Sequence, residues 1–211
     1  MKEKISLLFK ILIVITSFVG LYLNFKIAPI KNNIIYFTIQ SNLLCFLFYL
    51  IIVILKLTGK LQKNQIYYIF KGTVTMAITI TMFVYESVLA TSGTMGIYEE
   101  HMLACNFVHL IVPLMVIFDY VVFGEKGNLK KEYPIYWSFI LIGYLIFYII
   151  YVSFGGTFLG NSKYPYYYMN IEKYGLVKVL INNISIYVAF LLYGIFIQKL
   201  DAYWSKKHRK V

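Results

Sequence analysis

The chain is predicted to be an all-α, polytopic membrane protein with six transmembrane helices and both termini in the cytoplasm. Three observations predict it. Of 211 residues, 60% are hydrophobic and 19% aromatic, where a soluble domain is nearer half apolar. The apolar residues gather into six continuous blocks, 5–25, 36–55, 66–89, 102–123, 136–154 and 176–197, each close to the ~20 residues a helix needs to cross ~30 Å of hydrocarbon. Alternation of apolar and polar residues, the mark of a membrane β-barrel, is missing from these blocks. Finally, the basic residues sort by side. One side collects Lys2, Lys4, Lys56, Lys60, Lys63, Lys126, Lys130, Lys131, Lys199, Lys206, Lys207, Arg209 and Lys210, which is 13 against 4 for Lys26, Lys31, Lys163 and Lys173. The richer side is cytoplasmic by the positive-inside rule. The joining segments are short, so a single domain over 1–211 is expected.

The net charge of +11 does not point to nucleic acid, because its distribution is that of a topology marker. The cluster at 206–210 also suits anionic head groups. The first block is too long for the apolar core of a signal peptide, and Asn24, Phe25 and Lys26 follow it instead of a small-residue cleavage site. It is expected to stay as a helix. The second block opens Phe37-Thr38-Ile39-Gln40-Ser41-Asn42. Thr38, Ser41 and Asn42 fall at i, i+3 and i+4 and share one helix face. Either they glue helices together or they form a site.

The third block carries Lys71, Thr75 and Thr79 in its inner part and Glu86 near its outer end. The segment 90–101 after it is small, polar and acidic, with Glu99 and Glu100. The fourth block holds Asn106, His109, Pro113 and Asp119. An ionisable side chain at membrane depth is costly and faces a partner or cavity. Asn106 and His109 are i, i+3. Pro113 lacks an N–H, so the carbonyl four residues back, that of His109, is expected to lose its helical donor at a kink. Lys71 and Asp119 are expected to pair as a structural ion pair.

Gly124, Gly127 and Pro134 punctuate the connection to the fifth block. The loop 155–175 is the longest, with Gly155, Gly156 and Gly160 suited to tight turns and Tyr164, Tyr166, Tyr167 and Tyr168 suited to the membrane interface. It reads as an interfacial anchor or as a lid. The sixth block places Asn182, Asn183 and Ser185 in its outer half, with Lys178 snorkelling outward. Cys45 and Cys105 lie inside blocks and read as packing residues. They offer neither a disulfide framework nor metal-ligand spacing, so no metal or cofactor is expected.

Thr38 and His109 both lie in the outer third by distance from their helix starts, at ~3 Å and ~10 Å. A histidine beside a threonine can take its proton as the oxygen attacks a carbonyl carbon. Amides at Gln40, Asn42 or Asn106 could stabilise the oxyanion, with Ser41, Glu86, Asn182 and Asn183 completing a polar pocket. Glu86 is the candidate to orient His109. No Gly-x-Ser-x-Gly elbow, His-Glu-x-x-His or phosphate-binding glycine loop occurs. The chemistry that fits is cleavage or transfer of an acyl ester on a lipid; a lipid-binding or transport protein is the alternative, though no inverted repeat supports it.

At these residues the chain resembles the bacterial relatives of the androgen-induced membrane proteins. The likeness lies in 36–44, in Asn106, His109 and Pro113 with the helix end Asp119-Tyr120-Val121-Val122-Phe123, and in Tyr164-Pro165-Tyr166 with Tyr174-Gly175. It implies a six-helix membrane fold in a bacterial inner membrane. For the animal members it implies hydrolysis of fatty acid esters of hydroxy fatty acids by a threonine and a histidine, matched here by Thr38 and His109. A more distant branch with a cysteine nucleophile implies acyl transfer; the threonine here favours hydrolysis.

Overall fold

The computed structural model describes residues 1–89 and 101–208. The acidic segment with Glu99 and Glu100, and Arg209 and Lys210 of the basic tail, lie outside the described residues. Among the described residues, six helices are long and apolar enough to cross a membrane. They are α1 Lys2–Ile27, α2 Phe37–Leu57, α3 Gln65–Val84, α4 Met102–Phe123, α5 Tyr133–Ser153 and α6 Leu176–His208. Among the described residues there is no strand, only one isolated bridge between Phe158 and Ser162. The chain is an all-α, multi-pass membrane protein, as its apolar blocks predict.

Helix ends overrun the blocks. α1 starts at Lys2, α5 at Tyr133, and α6 runs on to His208. Apolarity marks the stretch that meets hydrocarbon, whereas backbone hydrogen bonds continue through polar residues. At 1.5 Å per residue the 33 residues of α6 span about 50 Å, well beyond ~30 Å of hydrocarbon. Among the described residues, three helical segments are widened into π-turns: Tyr85–Leu89 after α3, and Phe107–Ile111 and Asp119–Phe123 within α4.

The chain forms two compact units, Met1–Glu125 and Lys126–Val211. In the first, α1 packs on α2 and α4, α2 on α3, and α3 on α4. Ile13, Cys45, Tyr49, Val74, Ile78, Val112 and Val116 form its core, one or more from each helix. Polar side chains lie inside and large apolar ones outside. Ser17, Asn42 and Asp119 are 0% exposed, whereas Phe18, Ile51 and Phe83 are more than half exposed. Water would not favour that arrangement, but hydrocarbon does, since lipid tails are as apolar as the side chains they touch.

Side chains close the helix ends of this unit. Asn33 Nδ2 donates to Asn24 O and Ala28 O, at 2.8 and 3.1 Å, satisfying carbonyls at the end of α1. Asn64 caps α3 by accepting from Tyr67 N at 3.1 Å. At the same end, the Lys63 ammonium and the Tyr68 hydroxyl bind Glu125 and hold its carboxyl below the usual range. A carboxyl lowered on folding adds stability above its unfolded pKa and loses it as pH falls through the folded value. Both charged partners are partly exposed, at 41% and 50%, so screening keeps the effect small. Glu125→Gln is expected to cost under about 1 kcal/mol near neutral pH and nothing at pH 3, read from thermal unfolding at the two pH values.

In the second unit α5 packs on α6. Buried Asp201 of α6 accepts from Gly127 N at 2.8 Å and Leu129 N at 3.1 Å, and Gln198 Nε2 donates to Leu129 O, so α6 organises the turn before α5. Ser138 and Tyr187 hydrogen-bond between the helices at 3.0 Å. α5 ends with Gly155 at φ +82, where Gly156 N returns to Tyr151 O and Gly155 N to Val152 O. This is the doubly bonded helix end that glycine permits. The following loop is built from short turns at Leu159–Asn161 and Tyr167–Met169 and the helix Ile171–Tyr174. The rings of Tyr166 and Tyr168 lie parallel within it, with centroids 5.5 Å apart.

Candidate functional site

Thr38 is the second residue of α2 and His109 lies in the first π-turn of α4. The structure brings them together: Thr38 Oγ1 is 3.3 Å from His109 Nε2. Among the described residues this is the one hydrogen bond of the Thr38 hydroxyl. The distance is at the long end of the hydrogen-bond range. Both side chains are half-buried.

The other ring nitrogen settles the tautomer. His109 Nδ1 is 3.0 Å from Cys105 O. A carbonyl only accepts, so Nδ1 carries a proton, and in the neutral ring Nε2 then turns a bare lone pair toward the threonine hydroxyl. Cys105 Sγ also lies 3.3 Å from Nδ1, and it donates to Tyr85 OH at 3.1 Å. Tyr85 stacks on the imidazole face, with centroids 3.8 Å apart and planes 14° from parallel.

Why the imidazole sits here follows from Pro113. In the π-turn Val112 N reaches back five residues to Phe107 O. The next donor in that register would be residue 113, and proline has none. Val108 O is therefore left without a helical donor, one residue before the carbonyl that a regular α-helix would have bared. Instead of a simple kink, the helix widens by one residue. Asn42 of α2 fills the vacancy. Its Nδ2 donates to Val108 O at 3.0 Å and to Thr38 O at 2.8 Å. One amide thus ties the threonine backbone to the residue preceding the histidine. Asn42→Leu strands Val108 O and is expected to cost about 1–3 kcal/mol in thermal unfolding and to lower any activity of the pair more than it lowers the folded fraction.

That tie corrects one expectation. An amide nitrogen has two protons, and both of Asn42's are committed, so it cannot serve an oxyanion. Gln40 gives one of its two amide protons to Ile34 O at 3.0 Å. It lies two residues from Thr38, and i, i+2 positions face different ways on a helix. Ser41 bonds Thr38 O at 2.9 Å and Thr81 Oγ1 at 2.8 Å, which joins α2 to α3. Asn106 stands half-buried one turn before His109. Glu86 is exposed, and the Cys105 carbonyl takes the orienting role expected of it. Asn182 and Asn183 belong to the second unit, donating to Tyr168 O at 3.2 Å and Val179 O at 2.8 Å.

Sequence reasoning missed the support from α1. Gly20 lets α1 approach the π-turn so closely that a Cβ there would meet Phe107 Cβ at 3.1 Å and Val108 Cγ1 at 3.3 Å. One turn on, Asn24 Nδ2 bonds Gly20 O at 2.9 Å and Ala104 O of α4 at 3.0 Å. The signal was present. Lys10, Ser17 and Asn24, every seventh residue of an apolar helix, line its buried face with Gly20. Ten residues further along α4, the expected pair of Lys71 and Asp119 is found at 3.6 Å, with Lys10 of α1 as an unforeseen closer partner.

Among the described residues, no three His, Cys, Asp or Glu side chains gather as metal ligands would. The assembly of hydroxyl, bare imidazole nitrogen and oriented Nδ1 is competent for proton removal from Thr38 and attack on an electrophile. No family model matches the chain, and the searches of curated proteins and of solved structures returned no match.

Proposed function

We propose that the protein is an intramembrane threonine hydrolase that cleaves a lipid acyl ester, with Thr38 as nucleophile and His109 as general base. The observation that carries this reading is the 3.3 Å approach of Thr38 Oγ1 to a histidine nitrogen whose opposite nitrogen is fixed by Cys105 O. Nε2 takes the hydroxyl proton as Oγ1 bonds to the ester carbonyl carbon, giving a tetrahedral oxyanion and an imidazolium. Collapse breaks the ester C–O bond, and the imidazolium returns its proton to the departing alcohol. The acyl group is then on Thr38. Water attacks it, Nε2 takes one of its protons, and the fatty acid leaves as the proton returns to Oγ1.

Two donors suit the oxyanion. The Thr38 backbone N–H lies in the first turn of α2, where an N–H has no partner four residues back in the helix, and the helix dipole favours negative charge at that end. Asn106 is the second. The lipid nature of the substrate is supported by the setting, since the pair sits in membrane-spanning helices whose outer faces are apolar. The short motifs shared with androgen-induced membrane proteins point to the same chemistry. We place the protein in a bacterial cytoplasmic membrane with both termini inside, which puts the pair toward the outer face.

The test is turnover of fluorogenic acyl esters of increasing chain length by the detergent-purified protein, alongside Thr38→Val, which keeps the shape of the side chain and removes the hydroxyl. Release of the acid from long-chain esters by the wild type alone supports the reading. Equal release by a folded Thr38→Val protein overturns it.

A further inference from the structure

We propose that Tyr85 is a positioning residue for the hydrolysis, its ring face holding the His109 imidazole and stabilising the imidazolium that forms when Thr38 gives up its proton. The inference rests on the threonine hydrolase reading and adds to it a group that neither the motif spacing nor the polar pattern singles out.

The geometry is that of a clamp. Thr38 Oγ1 meets the Nε2 edge of the ring at 3.3 Å, Cys105 O meets the Nδ1 edge at 3.0 Å, and Tyr85 covers a face at 3.8 Å between centroids with planes 14° apart. Tyr85 is itself fixed. It is 6% exposed, it opens the π-turn Tyr85–Leu89, and its hydroxyl accepts from Cys105 Sγ at 3.1 Å. Cys105 therefore touches both rings, one helical turn before His109. Two π-turns, one following α3 and one inside α4, meet at this stack.

The need for such a group follows from charge. Proton transfer from Thr38 makes an imidazolium at membrane depth, where an uncompensated cation is costly. In serine hydrolases a buried carboxylate meets that need. Here, among the described residues, no carboxylate lies within ion-pair distance of His109, and Glu86, next to Tyr85, is exposed. The groups that contact the imidazole are Thr38 from α2, Tyr85 from the π-turn after α3, and Cys105 from α4, and the Glu86 carboxylate acts on Tyr85 and Cys105 without an ion pair to the ring. None of the three direct contacts is anionic. Beside the Cys105 carbonyl, which accepts from Nδ1, the electron-rich face of the phenol ring is placed to favour a cation, and a desolvated aromatic face does so more strongly than an exposed one.

The experiment compares Tyr85→Phe with Tyr85→pentafluorophenylalanine in detergent micelles. The two share shape, and both lack the hydroxyl, but fluorination reverses the sign of the ring face. The His109 titration is followed by ¹⁵N NMR without substrate, and kcat/KM is measured across pH. Tyr85→Phe is expected to titrate like the wild type. The fluorinated variant is expected to titrate lower by roughly 0.5–1 pH unit and to lose about three- to tenfold in plateau kcat/KM, with its acid limb moved down equally. Coincident titrations of the two variants would overturn the proposal. So would a Tyr85→Phe protein that loses activity as the fluorinated one does, since the hydroxyl link to Cys105 would then be the operative contact. Absence of wild-type turnover would strike the hydrolase reading instead, while the NMR titration would still decide whether the ring face stabilises the imidazolium.

Discussion

Replacing either member of the pair is expected to remove at least about 10³-fold of the turnover on a long-chain acyl ester. Thr38→Val loses the attacking oxygen, and His109→Ala loses the group that takes its proton. These are two halves of one event, so the double variant should be no slower than the worse single variant, well short of the product of the two losses. The pH profile carries the same logic. Nε2 must be bare to accept, so kcat/KM should fall tenfold per pH unit below the imidazole's pKa and level off above it. Once the ring is neutral, Nε2 is the bare nitrogen, because the Cys105 carbonyl keeps the remaining proton on Nδ1. Additive losses in the double variant would mean that the threonine and histidine act separately.

The largest effect on stability is expected at Asp119. Its side chain is 0% exposed, and every strong contact it makes is polar. Oδ1 binds the Lys10 ammonium, while Oδ2 accepts from Tyr49 OH at 3.1 Å and faces Lys71 at 3.6 Å. Lys10 also donates to Ser6 at 2.8 Å. Four helices thus converge on one carboxylate: α1 with Lys10, α2 with Tyr49, α3 with Lys71 and α4 with Asp119. Asp119→Leu leaves two buried ammonium groups without their counter-charge, and is expected to cost about 3–5 kcal/mol. The cost lies in the stranded charges rather than in the missing contact. Lys10→Met/Lys71→Met/Asp119→Leu together should therefore recover most of the stability. Unfolding in micelles, followed by the exposure of Cys45 in the adjacent core, reads both. A triple variant no more stable than Asp119→Leu would show that packing, not charge, is at issue. The carboxylate is about 15 Å along α4 from His109, so ester turnover should track the folded fraction in each variant.

The parts of this structure legible in the sequence are those where a residue contradicts its surroundings. Six apolar blocks state the six helices, because length against hydrocarbon thickness is a hard constraint. A threonine at the mouth of one block and a histidine inside another stand out for the same reason. Their meeting could be anticipated because both helices were expected to start from the same face. The supporting contacts were hidden by two kinds of ambiguity. Tyr85 is one of 21 tyrosines, most of which suit a membrane interface, so only the stack identifies it. The π-turn at Phe107–Ile111 changes which carbonyl is bared, and the donor that satisfies it, Asn42, comes from a different helix. Gln40 was drawn into the expected site by proximity in sequence, although its position on the helix turns it toward Ile34. Lys10 and Asn24 are hidden because the first block reads as a plain span, and their seven-residue spacing has meaning only once its buried face is known.

The most direct measurement is the mass of the protein during turnover. Acid-quenching a reaction with a long-chain acyl ester, then digesting and sequencing by mass spectrometry, should place one acyl group on the peptide containing residues 37–42, at Thr38, and His109→Ala should reduce that species sharply. Turnover with an unmodified Thr38, or with the acyl group on Ser41 or Cys105, would contradict the account.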